Sequence, residues 1–375
     1  MIAGWRQWRD LGKMLSYIGV GFDMGITRRQ LAAIGLGSLL PETCTRPAGA
    51  QERAITFAGY SGIFQENYQA AVIDPFTKKT GIKVTYFGLP SSAQILGTLR
   101  AQKAAPQVDV AMMDVTVAKA GTDEGLFEPF DAASVPAVAQ LDKRALQAGV
   151  AGTALTFDNL VLLYAPETVT PAPTSWKVLW DKKYAGQIAI PGVPDIVGIG
   201  LVLMANRIYG GTDYRQGVEN GIAAVSDMAP DVLSWDPRPD PYSFITNGQA
   251  LLGVGWNARG QLYSAQSGGK LAAVLPDEGS LFQVNMIEAV HGGKQPEATR
   301  MFLDYALGVE AQTAFTERMF YAPTNAAATP SAAAIAKTAA SPERMAKMLD
   351  VDWMEVAKMR DALGEQWRRR VLTRR

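Results

Sequence analysis

The chain has 375 residues, 48% of them hydrophobic, with 36 Lys+Arg against 36 Asp+Glu. That length and apolar content allow about two domains with large cores, and the balanced charge gives no electrostatic footprint for nucleic acid or for a membrane surface. The single cysteine, Cys44, leaves no disulfide framework and no cysteine cluster.

The first fifty residues read differently from the rest. Thr27-Arg28-Arg29-Gln30-Leu31 holds a twin-arginine pair, followed by an apolar run from Leu31 to Leu40, then Pro41 and Ala48-Gly49-Ala50. A charged region, a short hydrophobic region and small residues, in that order, form an export leader of the twin-arginine type, with cleavage expected after Ala50. The apolar run is well short of the roughly 20 residues needed to span a bilayer as a helix. Met24 stands just ahead of the arginines and is an alternative start to Met1. Cleavage would leave 30 basic and 33 acidic residues and remove Cys44. A mature chain without thiols suits an oxidising compartment such as the periplasm.

Along the remainder, Ala54–Ala58 reads as a strand followed by the glycine-bounded loop Gly59-Tyr60-Ser61-Gly62. Phe64, Tyr68, Val72 and Phe76 recur at four-residue spacing, the buried face of a helix kinked at Pro75 and ended by Gly81. Alternation from Ile82 to Phe87, a helical period from Ala93 to Lys103 and the apolar run Val108–Met113 complete β-α-β-α-β, the pattern of a doubly wound sheet. Ligands of such sheets sit beyond the C-terminal ends of the strands, where Tyr60, Ser61 and Asp114 fall. Val115–Gly125 is helical. Val150–Tyr164 is strand-like, interrupted at Phe157-Asp158-Asn159, and prolines 166, 171 and 173 mark a loop.

A second α/β unit then begins. Ile188–Ile190 is a strand, Pro191–Asp195 a turn, and Val197–Tyr209 an apolar helix whose start faces the turn. Gly217–Met228 reads as helix, Asp231–Trp235 as strand and Tyr242–Gln249 as a short helix. The most informative stretch is 252–260, LGVGWNARG, an apolar, Gly-spaced run typical of a strand buried on both faces. It ends in Trp256, Asn257 and Arg259: a flat ring, an amide and a five-donor fork, suited to gripping a small polar ligand. Leu271–Leu275 and Leu281–Val290 are strand-like, Pro296–Leu307 is helical, and two helices follow Val309 and Pro342.

In this order, Phe76–Val84, Ser175-Trp176 with Leu179-Trp180 and Tyr184-Ala185-Gly186, Gly255-Trp256-Asn257, Pro276–Gly279, Pro296-Glu297-Ala298 and Tyr321–Asn325 resemble the extracellular solute-binding proteins of ABC importers. The similarity is greatest to the spermidine/putrescine-binding branch and runs through nearly all of residues 54–370. It implies an α/β type II periplasmic binding fold, two lobes joined by crossing hinge strands near 151–157 and 253–257. Residues 51–155 and 258–310 would form lobe 1, and 156–257 and 311–375 lobe 2. It further implies hinge closure on the solute, delivery to a permease with its ATPase, a monomer, and no cofactor. By position it assigns Tyr60, Ser61, Asp114, Phe157, Asp158, Asp195, Trp235, Asp236, Trp256, Asn285 and Tyr321 to the cleft, together with Arg259 from the stretch 252–260.

Two departures bear on the ligand. Polyamine binders of this branch usually have an aspartate after the Trp-Asn pair, where Ala258-Arg259 stands, and an acid near Asn285. An ammonium about 4 Å from a guanidinium would be opposed by about 4 kcal/mol at an intermediate dielectric. If Arg259 enters the cleft, a solute with both an amine and an anionic group fits better than a pure polyamine. If it points out to solvent or bridges to a lobe carboxylate, a polyamine remains suitable. Two rival readings are ferric-ion capture in the same fold, which lacks an adjacent tyrosine pair, and a secreted hydrolase, which would rest on the lone His291 without a nucleophile elbow.

Overall fold

The structure is a computed structural model and describes residues 53–349 and 351–374; the leader, its twin arginines and the cleavage position lie outside the described residues. Twelve strands form one connected sheet. In chain order they are β1 Ala54–Tyr60, β2 Lys83–Leu89, β3 Val110–Asp114, β4 Phe127–Glu128, β5 Thr153–Tyr164, β6 Ile188–Ala189, β7 Val232–Ser234, β8 Leu252–Trp256, β9 Ala272–Val274, β10 Ser280–Val290, β11 Ala322–Pro323 and β12 Met348–Leu349. The main path runs β2-β1-β3-β10-β5-β8-β6-β7, with β4, β9, β11 and β12 attached beside it. β1 pairs in parallel with β2 and β3, and β6 in parallel with β7 and β8. β5 and β10, antiparallel to their neighbours, join these two parallel groups.

Burial on both faces explains why β3, β5 and β8 read as near-continuous apolar runs: all of β3 and β8 and all of β5 except Tyr164 are buried. β5 runs unbroken through Phe157-Asp158-Asn159, where an interruption was expected. The polar pair marks a change of partner: Thr153 to Asn159 pair with β10, and Leu160 to Tyr164 with β8. The other strand linking the two groups is β10, which pairs with β3 and β5, rather than the stretch 253–257. That stretch is β8, flanked by β5 and β6 inside the second group. Its glycines answer to close approach: a Cβ at Gly255 would lie 2.6 Å from the Tyr242 hydroxyl, and one at Gly253 would lie 2.9 Å from the Ala189 carbonyl oxygen.

The first helical stretch shows how local chemistry sets a bend. Phe64, Tyr68, Val72 and Phe76 are each at most 1% exposed, so the four-residue repeat does mark the core face. The helix Ile63–Tyr68 widens into a π turn at Gln69–Ile73 before Asp74–Thr80. Pro75 follows the wide turn, which absorbs its missing N–H and ring bulk. Gly81, at φ 73°, closes the helix in the left-handed conformation that glycine adopts without penalty.

The last long helix, Trp353–Arg370, begins at Asp352, whose side chain accepts from the backbone N–H groups of Met354 and Glu355. Its buried face carries Trp353, Val356, Leu363 and Trp367 and packs on the helices Val115–Asp123 and Glu219–Met228, one from each half of the sheet.

Candidate functional site

The C-terminal ends of the parallel strands converge on one cavity of about 330 Å³, at the low end of the range for small-molecule sites. β1 delivers Tyr60, β3 delivers Asp114, and β6 runs into the turn carrying Gly192 and Asp195. β7 leads to Trp235 and Asp236, and β8 to Trp256 and Arg259. This is the location expected of ligand sites in open α/β sheets.

Helix starts account for much of the acid in the wall. Asp114 caps the helix Val115–Asp123, accepting from Val117 N at 3.2 Å and from Thr116 Oγ1 at 2.6 Å. Asp195 caps Ile196–Ile208 through Val197 N at 2.8 Å. Asp240 caps Pro241–Thr246 through Ser243 N at 2.7 Å and accepts from Tyr263 Oη at 3.0 Å. Each of these contacts uses an uncharged N–H or O–H donor. Burial pushes the Asp195 carboxyl up, and nearby Asp114 adds to the rise. Because the residue is solvent-exposed along the cavity, water tempers that effect.

Indoles and phenols also line the cavity. The Tyr242 hydroxyl accepts from Trp256 N at 2.6 Å and donates to Trp256 O at 3.0 Å, clamping the end of β8. Trp235 packs edge-on against Trp367 of the last helix, with ring centroids 4.8 Å apart. Tyr60 donates to Asn285 Oδ1 at 3.1 Å and lies 2.8 Å from Ser92 Oγ. Arg259 holds its guanidinium carbon 5.7 Å from the Tyr60 ring centroid.

Charge pairing around the cavity is uneven. Arg238 pairs with Asp236 at 2.9 Å, and Arg360 donates to Pro194 O at 3.3 Å. Arg259 is only partly buried, and among the described residues it has no carboxylate partner; its Nε makes no hydrogen bond.

Of the residues assigned from sequence, Tyr60, Asp114, Asp195, Trp235, Asp236, Trp256, Arg259 and Tyr321 line the cavity together. Four sit elsewhere. Ser61 lies beside β2, its N–H donating to Leu89 O at 2.9 Å. Phe157 is 1% exposed, with its ring 4.9 Å from Phe282 in the core. Asn285 is buried behind Tyr60 and donates to Thr156 Oγ1 at 3.0 Å.

Asp158 lies beneath the site. Its carboxylate accepts from Ala258 N, with both oxygens at 3.1 Å, and from Asn159 N at 2.9 Å, anchoring the first turn of the helix that carries Arg259. Burial pushes this carboxyl up to about 7, against the pull of those N–H donors and of Arg344 and Arg259.

A pH prediction follows from Asp158. An unfolded aspartate titrates at about 3.9, so between about pH 4 and 7 the folded state keeps a proton that the unfolded chain has lost. This contribution is favourable at and below the lower value and declines as pH rises toward 7. Asp158→Asn is expected to flatten that decline and to be the more stable form at pH 8. Urea midpoints of both forms at pH 4, 6 and 8 check it; parallel pH profiles would show that Asp158 does not titrate there.

Sequence reading missed Ser91, Ser92 and Gln94, which enter from the start of the helix Ser92–Ala101, and Asp240, Tyr242, Arg238 and Arg360. Ser91 and the pair Asp240-Pro241 were legible as helix caps, but a cap alone does not say what it faces. Arg360 comes from the last helix, and no local pattern ties it to the cavity.

The sequence profile of the bacterial extracellular solute-binding proteins matches residues 71–346, and the chain belongs to that family. A gamma-aminobutyric acid-binding protein of Pseudomonas aeruginosa is 24% identical over 287 residues, covering 74% of this chain and 78% of that protein. Spermidine/putrescine-binding periplasmic protein 1 of Haemophilus influenzae is 23% identical, covering 68% and 71%. Among solved structures, an ABC transporter substrate-binding protein from Bradyrhizobium japonicum superposes with a TM-score of 0.72 at 21% identity, covering 84% of this chain and 99% of that one. The PBP AgtB of Agrobacterium tumefaciens in complex with agropinic acid gives 0.74 at 17% identity, covering 85% and 99%. The fold is thus the type II periplasmic binding fold, and the relatives and structural neighbours named are solute-binding proteins rather than enzymes.

Proposed function

We propose that this protein captures a small solute carrying both an amine and an anionic group, such as an ω-amino acid, and hands it unchanged to an ABC permease driven by a separate ATPase. The observation that carries this is Arg259: a guanidinium in the cavity without an acidic partner among the described residues, in a wall that also presents Asp114, Asp195, Asp236 and Asp240. A carboxylate on Arg259 and an ammonium against an aspartate would satisfy both charges, with Trp256, Trp235 and Tyr60 offering aromatic faces to the cation. The gamma-aminobutyric acid-binding relative supports this reading, and the spermidine/putrescine-binding relatives mark the alternative. Ferric capture by Tyr60, Tyr242 and Tyr321 would place the metal among phenols that burial holds protonated and beside a guanidinium. His291, on which a hydrolase would rest, is exposed beside Glu128, outside the cavity.

In this reading the two sheet groups act as lobes, β5 and β10 serve as the hinge strands, and a monomer closes on its solute. The helix Asn257–Gln266 packs on β5, β8 and β9, and β11 pairs with β5 at Thr156 and Phe157. We therefore place 257–266 with the second lobe and 322–325 with the first. The twin-arginine leader directs export to the periplasm and is removed after Ala50.

Two measurements test this. Titration calorimetry should give micromolar binding of γ-aminobutyrate or a related ω-amino acid, about −8 kcal/mol, and at least tenfold weaker binding of putrescine and spermidine. The reverse order would favour the polyamine alternative. Mass measurement of the exported chain should place its first residue at Gln51; an uncleaved chain or another terminus would contradict the leader assignment.

A further inference from the structure

The polar groups around the cavity differ in how far the protein satisfies them. The hydroxyls of Tyr60 and Tyr242 and the carboxylates of Asp114 and Asp240 each have hydrogen-bond partners. Asn285 on β10 uses both ends of its amide, accepting from Tyr60 and donating to Thr156. Gln283, two residues earlier and so on the same face of β10, also lines the cavity. It is 3% exposed, and its Oε1 is buried without a hydrogen-bond partner among the described residues. An unmade hydrogen bond at a buried amide is a standing cost, which a bound group of matching polarity removes.

We propose that Gln283 is a specificity-determining residue that reads a neutral hydrogen-bonding group of the solute, a hydroxyl, carbonyl or amide carried in addition to its two charged ends. This rests on the amine-plus-anion reading above and narrows it. A site built around a buried polar group rejects analogues that leave the group unpaired far more strongly than an apolar pocket rejects an extra methylene. An amide offers both a donor and an acceptor, so a hydroxyl can pair with either end. Plain ω-amino acids present only methylenes between their charges and leave Gln283 unsatisfied.

The test compares γ-aminobutyrate with γ-amino-β-hydroxybutyrate and γ-amino-α-hydroxybutyrate by titration calorimetry, on wild type, Gln283→Leu and Gln283→Met. Wild type should prefer one hydroxylated form by about tenfold or more, and both variants should bring that ratio to within about threefold of one. Because Oε1 has no hydrogen-bond partner among the described residues, neither variant should lower Tm, which separates loss of preference from loss of fold. A wild-type ratio near one while γ-aminobutyrate binds overturns this inference and leaves the amine-plus-anion reading standing. So does a preference that survives in both variants, or an equal loss for all three solutes, since Gln283 would then hold a charged end. No binding of any of the three removes the broader reading and this inference with it.

Discussion

Arg259→Ala is expected to weaken binding of an ω-amino acid by about two to three orders of magnitude. Removing one partner of a buried, hydrogen-bonded charge pair typically costs 2–5 kcal/mol, much of it from the charge left unpaired. The expectation is specific because Arg238 is already paired with Asp236, whereas Arg259 has no acidic partner among the described residues. Arg259→Lys should fall between the two, since an ammonium keeps the charge but loses the planar fork that matches a carboxylate. Arg259→Ala should raise polyamine affinity relative to wild type, because a repulsive charge is withdrawn from the cavity. Calorimetry of the three forms against γ-aminobutyrate and putrescine checks both directions. A loss under threefold for every amino acid would show that the guanidinium does not meet the ligand.

Trp367→Ala is expected to lower stability by about 3–5 kcal/mol, the usual range for truncating a fully buried tryptophan. Trp367 is 1% exposed. It supports the cavity from behind in two places: its ring meets Trp235 edge-on, and a Cβ on Gly192 would lie only 2.7 Å from it. Loss of the indole should therefore loosen the turn before Asp195 and the Trp235 wall together, so ligand affinity should drop as well. Trp176→Ala makes the comparison. Trp176 is equally buried and donates through Nε1 to Gly279 O at 2.9 Å, but it does not line the cavity. It should cost similar stability with little change in affinity. Urea unfolding and calorimetry on both variants decide the matter; equal losses of affinity would make the effect one of general destabilisation.

What the sequence revealed of the fold followed from burial. Strands packed on both faces leave an unbroken apolar run, as β3 and β8 do, and one buried stripe of a helix leaves a four-residue repeat, as the Phe64-Tyr68-Val72-Phe76 face does. The path of β5 was harder to read. Asp158 and Asn159 look like a break because buried strands seldom hold acids, and here the acid is tolerated because it anchors a helix start across the sheet. The return strand was misplaced for a related reason. β8 and β10 are both largely apolar runs, and only pairing, which is non-local, shows that β10 links the two groups.

For the cavity, residues at strand ends were legible because topology alone puts them there. Ser61 and Phe157 do not line it: Ser61 lies against β2 at Leu89, and Phe157 packs on Phe282 in the core. Arg360 lies in a helix far along the chain, where nothing in the local sequence hints at a cleft.

The most direct test is a crystal structure of residues 51–375 with the tightest-binding solute. Ligand density is expected in the cavity between the strand ends, with an anionic group within about 3 Å of the Arg259 guanidinium and an amine near Asp195 or its neighbouring aspartates. Density on another surface, or a solute seated in the cavity with Arg259 turned away to solvent, would contradict it.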